Sequence, residues 1–183
     1  GEVVDLMKGI RANCPLPPFG GAEQYNWSPD GKEIAFTAKV VNNPAESTDS
    51  DVYLAAVDGS QSIRCITHGM NGYDTDPGYS PAGKFLVFHS MERPGFEADR
   101  NRLMLFDRAS ASIRELTAGL DQTAHGARWM PDSQSLVFQS EHRGCDQLFR
   151  IYLHAQGAEQ VSRGIFNWAL HDVLADGDTL LVA

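Results

Sequence analysis

The densest charged segment of the chain is Met91-Glu92-Arg93-Pro94-Gly95-Phe96-Glu97-Ala98-Asp99-Arg100. Its carboxylates can bind a cation such as a peptide amino terminus through charge-assisted hydrogen bonds. They can equally be neutralised by the arginines beside them, which would leave an internally paired surface loop. A second charged segment stands at the corresponding place further along. Aligning Phe88 with Phe138 puts Glu92 level with His142, Arg93 with Arg143 and Met91 with Glu141. The candidate substrate-binding residues are therefore Glu92, Arg93, Glu97, Glu141 and His142, expected to line one rim. Asp74 and Asp121 are expected in loops of that same face.

Other chemistry is poorly represented. Gly78-Tyr79-Ser80-Pro81-Ala82 is the nearest approach to a Gly-x-Ser-x-Gly elbow and lacks its second glycine. There is no glycine-rich phosphate loop and no His-Glu-x-x-His, so no catalytic residue, metal site or cofactor is expected. The 6 histidines stand singly and read as hydrogen-bonded or exposed side chains. Thr48-Asp49-Ser50-Asp51 and Asp74-Thr75-Asp76 contain calcium-type ligands without the full loop spacing, so they read as strand-entry caps. Cys14, Cys65 and Cys145 are too scattered for a disulfide framework.

The elements that must position these groups follow from a repeat. Trp27-Ser28-Pro29-Asp30-Gly31, Tyr79-Ser80-Pro81-Ala82-Gly83 and Trp129-Met130-Pro131-Asp132-Ser133 each precede an apolar strand, and their starts are 52 (79 − 27) and 50 (129 − 79) residues apart. Proline presets the first turn dihedral and glycine accepts the left-handed one that follows. Such a period with several strands per unit marks a β-propeller, one blade per repeat. Leu116-Thr117-Ala118-Gly119 matches Ile66-Thr67-His68-Gly69, Val161-Ser162-Arg163-Gly164 and Leu6-Met7-Lys8-Gly9, and reads as the last strand of each blade. The expected fold is all-β: three complete four-stranded antiparallel blades over residues 18–67, 72–117 and 122–162. Residues 1–9 are expected to end a preceding blade and residues 165–183 to begin the next. Trp27 and Trp129 are expected in the blade-packing core.

Strand alternation puts the Ser-Pro-Asp-Gly and Asp-Gly turns on one face. The opposite face receives longer connections, including 39–50, 91–101 and 141–146, and loops on a rigid scaffold are where binding residues gather. The chain carries 24 acidic and 15 basic residues, a net charge of −9, which argues against a nucleic-acid partner. No apolar run approaches the ~20 residues of a membrane span. No signal peptide is legible, and the location of the parent protein, periplasmic, secreted or cytoplasmic, stays open. A chain that begins and ends inside blades would leave unpaired sheet edges, through which copies can self-associate.

The repeats resemble the blades shared by TolB-type propellers and the prolyl oligopeptidase family. Pro18-Phe19-Gly20-Gly21 leading to Trp27–Phe36, Ser50-Asp51-Val52-Tyr53-Leu54, Gly72-Tyr73-Asp74 and the Ser90-Met91-Glu92-Arg93 loop resemble the amino-terminal propeller of dipeptidyl-peptidase V-like enzymes. The likeness runs from about Pro18 to about Arg150. Such enzymes are serine exopeptidases whose Ser-Asp-His triad lies in a carboxy-terminal α/β-hydrolase domain, and nothing in this chain matches that domain. The resemblance implies a non-catalytic, substrate-gating propeller whose partner is a peptide substrate, with acidic residues near the mouth holding its amino terminus. The other reading is a stand-alone TolB/WD40-like module for protein–protein interaction.

Overall fold

In the computed structural model, which describes residues 3–60 and 62–183, successive four-stranded antiparallel sheets follow one another along the chain. The first sheet contains β1 (Tyr25–Trp27), β2 (Glu33–Ala38), β3 (Asp51–Ala56) and β4 (Arg64–Cys65), paired in that order. The second contains β5 (Asp74–Tyr79), β6 (Phe85–Ser90), β7 (Arg102–Asp107) and β8 (Ser112–Glu115). The third contains β9 (Ala124–Trp129), β10 (Ser135–His142), β11 (Cys145–Tyr152) and β12 (Glu159–Gln160). A two-stranded sheet of β13 (Leu170–Val173) and β14 (Leu180–Val182) follows. Helix among the described residues is limited to a 3-10 turn at Ala22–Gln24.

The proline turns share one geometry. The N–H of Gly31 donates to the Ser28 carbonyl at 2.8 Å, that of Gly83 to Ser80 at 2.7 Å, that of Ser133 to Met130 at 3.0 Å and that of Gly177 to Leu174 at 3.0 Å. The donor residue of each pair sits at positive φ, including Ser133 at 58°. Ser133 fills a glycine position because its hydroxyl has a second task, accepting the Ala82 N–H of the neighbouring blade at 2.9 Å.

Alternation within each strand splits the core between neighbouring blades. Phe88 and Leu86 of β6 pack with Ala35, Val52 and Leu54 of the first blade. Phe85 and Val87 of the same strand pack with Leu136, Phe138 and Ile151 of the third. Val137 and Leu148 then meet Leu170, Leu180 and Val182. Each interface is continued by main-chain bonds on the long-loop side. The N–H of Ser50 donates to the Gly72 carbonyl at 3.2 Å and that of Asp74 to Ser50 at 3.1 Å; Ala124 repeats this toward Asn101 at 2.9 Å.

Three expectations change. The Leu-Thr-x-Gly signature is the turn after the last strand. Its hydroxyl accepts the first free N–H of the third strand: Val52 to Thr67 at 3.0 Å, Leu103 to Thr117 at 3.0 Å and Leu148 to Ser162 at 2.8 Å. At the start of the chain Leu6-Met7-Lys8-Gly9 is accordingly a turn and not a strand, with Leu6 and Met7 packed on Phe36, Ala38 and Ala55. The segment 141–146 is not a long loop: β10 and β11 pair through His142 and Cys145, leaving a turn of Arg143 and Gly144 at φ 52° and 79°. Trp27 is exposed and not core, whereas its equivalent Trp129 is half-buried, stacked on Phe85 with 6.4 Å between ring centroids.

Candidate binding cleft

The connection between β6 and β7 is built around one carboxylate. Asp99 accepts the backbone N–H of Glu92 at 3.1 Å, of Arg93 at 2.8 Å and of Arg100 at 2.9 Å. The Arg93 guanidinium adds bonds at 3.0 and 2.7 Å. That guanidinium holds the Asp99 carboxyl well below the usual carboxylate range, with the backbone donors assisting. Arg93 also lies over the Phe96 ring, 4.2 Å from its centroid. The internally paired reading therefore describes Arg93, whose guanidinium is paired with Asp99.

Two close approaches fix this loop to its surroundings. The N–H of Met91 donates to the Tyr73 carbonyl at 3.0 Å, and the N–H of Gly95 donates to the Thr48 hydroxyl at 2.7 Å. At Gly72 the Met91 carbonyl occupies the space a β-carbon would need, so only glycine fits. On the other side Gln24, buried, accepts the Leu16 N–H at 2.6 Å and donates to the Thr75 hydroxyl at 3.3 Å, tying residues 16–24 to the second blade.

Between these segments lies a cleft of about 640 Å³, lined among others by Phe19, Glu23, Tyr73, Asp76, Phe96 and Glu97. Its walls thus combine three aromatic rings with three carboxylates. Arg93 and Lys39 also border it. The Lys39 ammonium donates to the Ser47 carbonyl at 2.6 Å, and Arg93 is held by Asp99, so both cations are engaged by the protein itself.

Of the candidates read from sequence, the structure places Glu97 and Arg93 at this cleft. Glu92 turns to Arg102, 3.2 Å away. Glu141 and His142 lie on β10, opposite Asp146 and Cys145, and His142 meets the Phe149 ring edge-on at 6.2 Å; neither lines the cleft. Asp74 is not in a loop: it opens β5 and is fully buried, with no hydrogen-bond partner on either oxygen, and burial pushes its carboxyl up to about 7.

Sequence reasoning missed Asp76 and Glu23 as cleft residues. Asp76 stands at φ 53° where β5 shifts register against β6, and Gly126, at φ 54°, holds the same place on β9. Burial raises the Asp76 carboxyl, while the Thr75 hydroxyl, donating at 2.7 Å, pulls the other way. An aspartate aligned with a left-handed glycine was the signal available. Beside it the Asn101 side-chain amide oxygen is buried without a partner. The cleft therefore offers acceptors in excess of donors, which suits a ligand rich in N–H groups.

Residues 25–183 match the TolB beta propeller domain. The chain belongs to the TolB beta-propeller family. Among curated proteins it is similar to dipeptidyl-peptidase 5 of Porphyromonas gingivalis, 33% identical over 174 residues, covering 94% of this chain and 25% of that protein. Dipeptidyl-peptidase 5 of Aspergillus fumigatus is 34% identical over 167 residues, covering 85% and 23%. This propeller chain thus spans about a quarter of the length of these relatives. Among solved structures, TolB from Acinetobacter baumannii superposes with a TM-score of 0.62 at 22% identity, covering 90% of this chain and 38% of that one. A puromycin-hydrolyzing peptidase of Mycobacterium tuberculosis does so with 0.65 at 20%, covering 84% and 26%. At these identities the superpositions establish the fold.

Proposed function

We propose that this chain is the propeller portion of a dipeptidyl-peptidase-like serine peptidase, and that its cleft holds the amino terminus of the peptide substrate. The observation that carries the reading is the 33% identity to a dipeptidyl-peptidase 5 over 94% of the chain. The nucleophile, base and oxyanion hole belong to an α/β-hydrolase segment outside these residues, and the propeller restricts which peptides reach them. An alkylammonium entering the cleft would meet Glu97, Glu23 and Asp76 as acceptors and the rings of Phe19 and Tyr73 as cation-binding surfaces. A chain whose amino group is acylated carries no such charge. Glu92 contributes less, because Arg102 already neutralises it.

The test uses the whole polypeptide that contains residues 1–183. It should release a chromophore from a dipeptide-linked anilide and fail on the same substrate with an acetylated amino group. Glu97→Gln or Asp76→Asn should lower kcat/KM by roughly tenfold or more, the loss of a charge-assisted bond being worth about 1.5–3 kcal/mol. Glu92→Gln should change it little. Equal turnover of free and acetylated substrates would refute amino-terminus binding. No turnover by the whole polypeptide would refute the peptidase reading and favour an interaction module.

A further inference from the structure

Asn101, just ahead of β7, borders the cleft with a side chain that the fold does not complete. Its backbone is engaged: the N–H donates to the Thr123 hydroxyl at 3.3 Å, and the carbonyl accepts the Ala124 N–H at 2.9 Å. Its side-chain amide oxygen is buried and has no partner. In the first blade the same position is Ser50, whose carbonyl accepts the Asp74 N–H at 3.1 Å. There the side chain is used, the hydroxyl donating to the Asp74 carbonyl at 3.0 Å. A buried acceptor left open weakens a fold unless something supplies a donor to it.

The cleft around Asn101 has a polar floor and an apolar wall. Asp76 and Asn101 line it and are half-buried, whereas Glu23 and Glu97 stand exposed at its rim. Phe96 and Met91 form the wall. One face of the Phe96 ring already carries the Arg93 guanidinium, 4.2 Å from its centroid. That ring is therefore an apolar surface and a poor seat for a second cation. Every lining residue lies between positions 16 and 101, within the first two blades and the segment leading into them.

We propose, building on the amino-terminus reading above, that Asn101 and Asp76 together hold the free ammonium group of the substrate, and that the side chain of its first residue lies on Phe96 and Met91. The ammonium brings several N–H donors, of which one completes the open Asn101 oxygen and another meets the Asp76 carboxylate. The substrates are then peptides with a large, uncharged, apolar first residue. An acidic first residue is repelled by Glu23 and Glu97.

The test assays the whole polypeptide that contains residues 1–183 on Phe-Ala, Gly-Ala and Glu-Ala anilides, each with its amino group free and acetylated. Phe-Ala should exceed Gly-Ala in kcat/KM by about tenfold or more, the discrimination an apolar pocket supplies, with Glu-Ala the poorest. Phe96→Ala should narrow the Phe-Ala to Gly-Ala ratio by about fivefold or more. Asn101→Ala should raise KM about tenfold on every substrate with a free amino group. It should leave the urea midpoint no lower than that of the parent, because the oxygen it removes is bonded to nothing in the fold. Unchanged KM in Asn101→Ala, or a Phe-Ala preference that Phe96→Ala leaves intact, overturns the inference, while a retained contrast between free and acetylated substrates still supports the amino-terminus reading. An Asn101→Ala variant whose loss of activity follows a loss of stability also overturns it and assigns the residue to the fold. Loss of the contrast in the parent, or no turnover at all, overturns both.

Discussion

The Ser133 hydroxyl accepts the backbone N–H of Ala82 at 2.9 Å, joining the proline turns of two neighbouring blades. Ser133 is itself held at φ 58°, a conformation that glycine adopts without strain. The two effects separate on substitution. Ser133→Ala keeps the strain and loses the Ala82 N–H bond, and should cost about 0.5–1.5 kcal/mol. Ser133→Gly also loses the bond but relaxes the turn, and should cost less. Urea unfolding of the two variants gives the order, and an alanine variant as stable as the glycine one would contradict it.

Thr117→Val tests the turn signature. The valine is nearly isosteric but cannot accept the Leu103 N–H, which lies inside the sheet. A loss of about 1–3 kcal/mol is expected, from a buried donor left without a partner. Hydrogen exchange at Leu103 should accelerate with it. Retained protection at that amide would show that the hydroxyl is dispensable.

Gly72→Ala should displace the loop carrying Glu97. The added methyl runs into the Met91 carbonyl, which is backbone and cannot step aside without moving the loop. Faster proteolysis within residues 91–101 is expected, with the rest of the fold kept. An unchanged cleavage pattern would mean that the approach of the two backbones is not restrictive.

Asp74 should give the chain an unusual dependence on pH. Burial raises its carboxyl to about 7, with the nearby Asp51 charge adding to the effect. The folded state then holds a proton that the unfolded state, with its ordinary carboxyl near 3.9, releases. Stability from this group is therefore full at low pH and falls as pH rises from about 4 through 7, at no more than about 1.4 kcal/mol per pH unit. Asp74→Asn should flatten that decline. Identical slopes for the two proteins in denaturant titrations at pH 5 and 8 would remove Asp74 as its cause.

The parts of this fold that were legible in sequence are those where covalent chemistry restricts the backbone. Pro29, Pro81 and Pro131 with Gly31 and Gly83 marked the turns, and apolar alternation in Phe85–Phe88 marked the strand that follows. Legibility failed where a residue took a conformation that its type does not advertise. Arg143 at positive φ closes a two-residue hairpin, so β10 runs on to His142 where a loop was expected. Thr67, Thr117 and Ser162 looked like strand residues because threonine suits strands, and only the hydrogen bonds show them to be caps. Charge density pointed to a loop that borders the cleft, but which of its carboxylates is unpaired depends on Arg93 and Arg102, whose side-chain directions sequence does not encode. Trp27 was misplaced because its type fits a core, while its burial depends on a neighbour outside the local repeat.

The hydroxyl caps at Thr67, Thr117 and Ser162 act wholly within their own repeat: donor, acceptor and intervening turn all lie in one stretch of about fifty residues. A unit of that kind can be copied or lost as a block, since its internal bonds travel with it. Only the junctions it shares with its neighbours must be remade. Duplication in register with the cap therefore adds a blade without redesigning the hydrogen bonds inside any other.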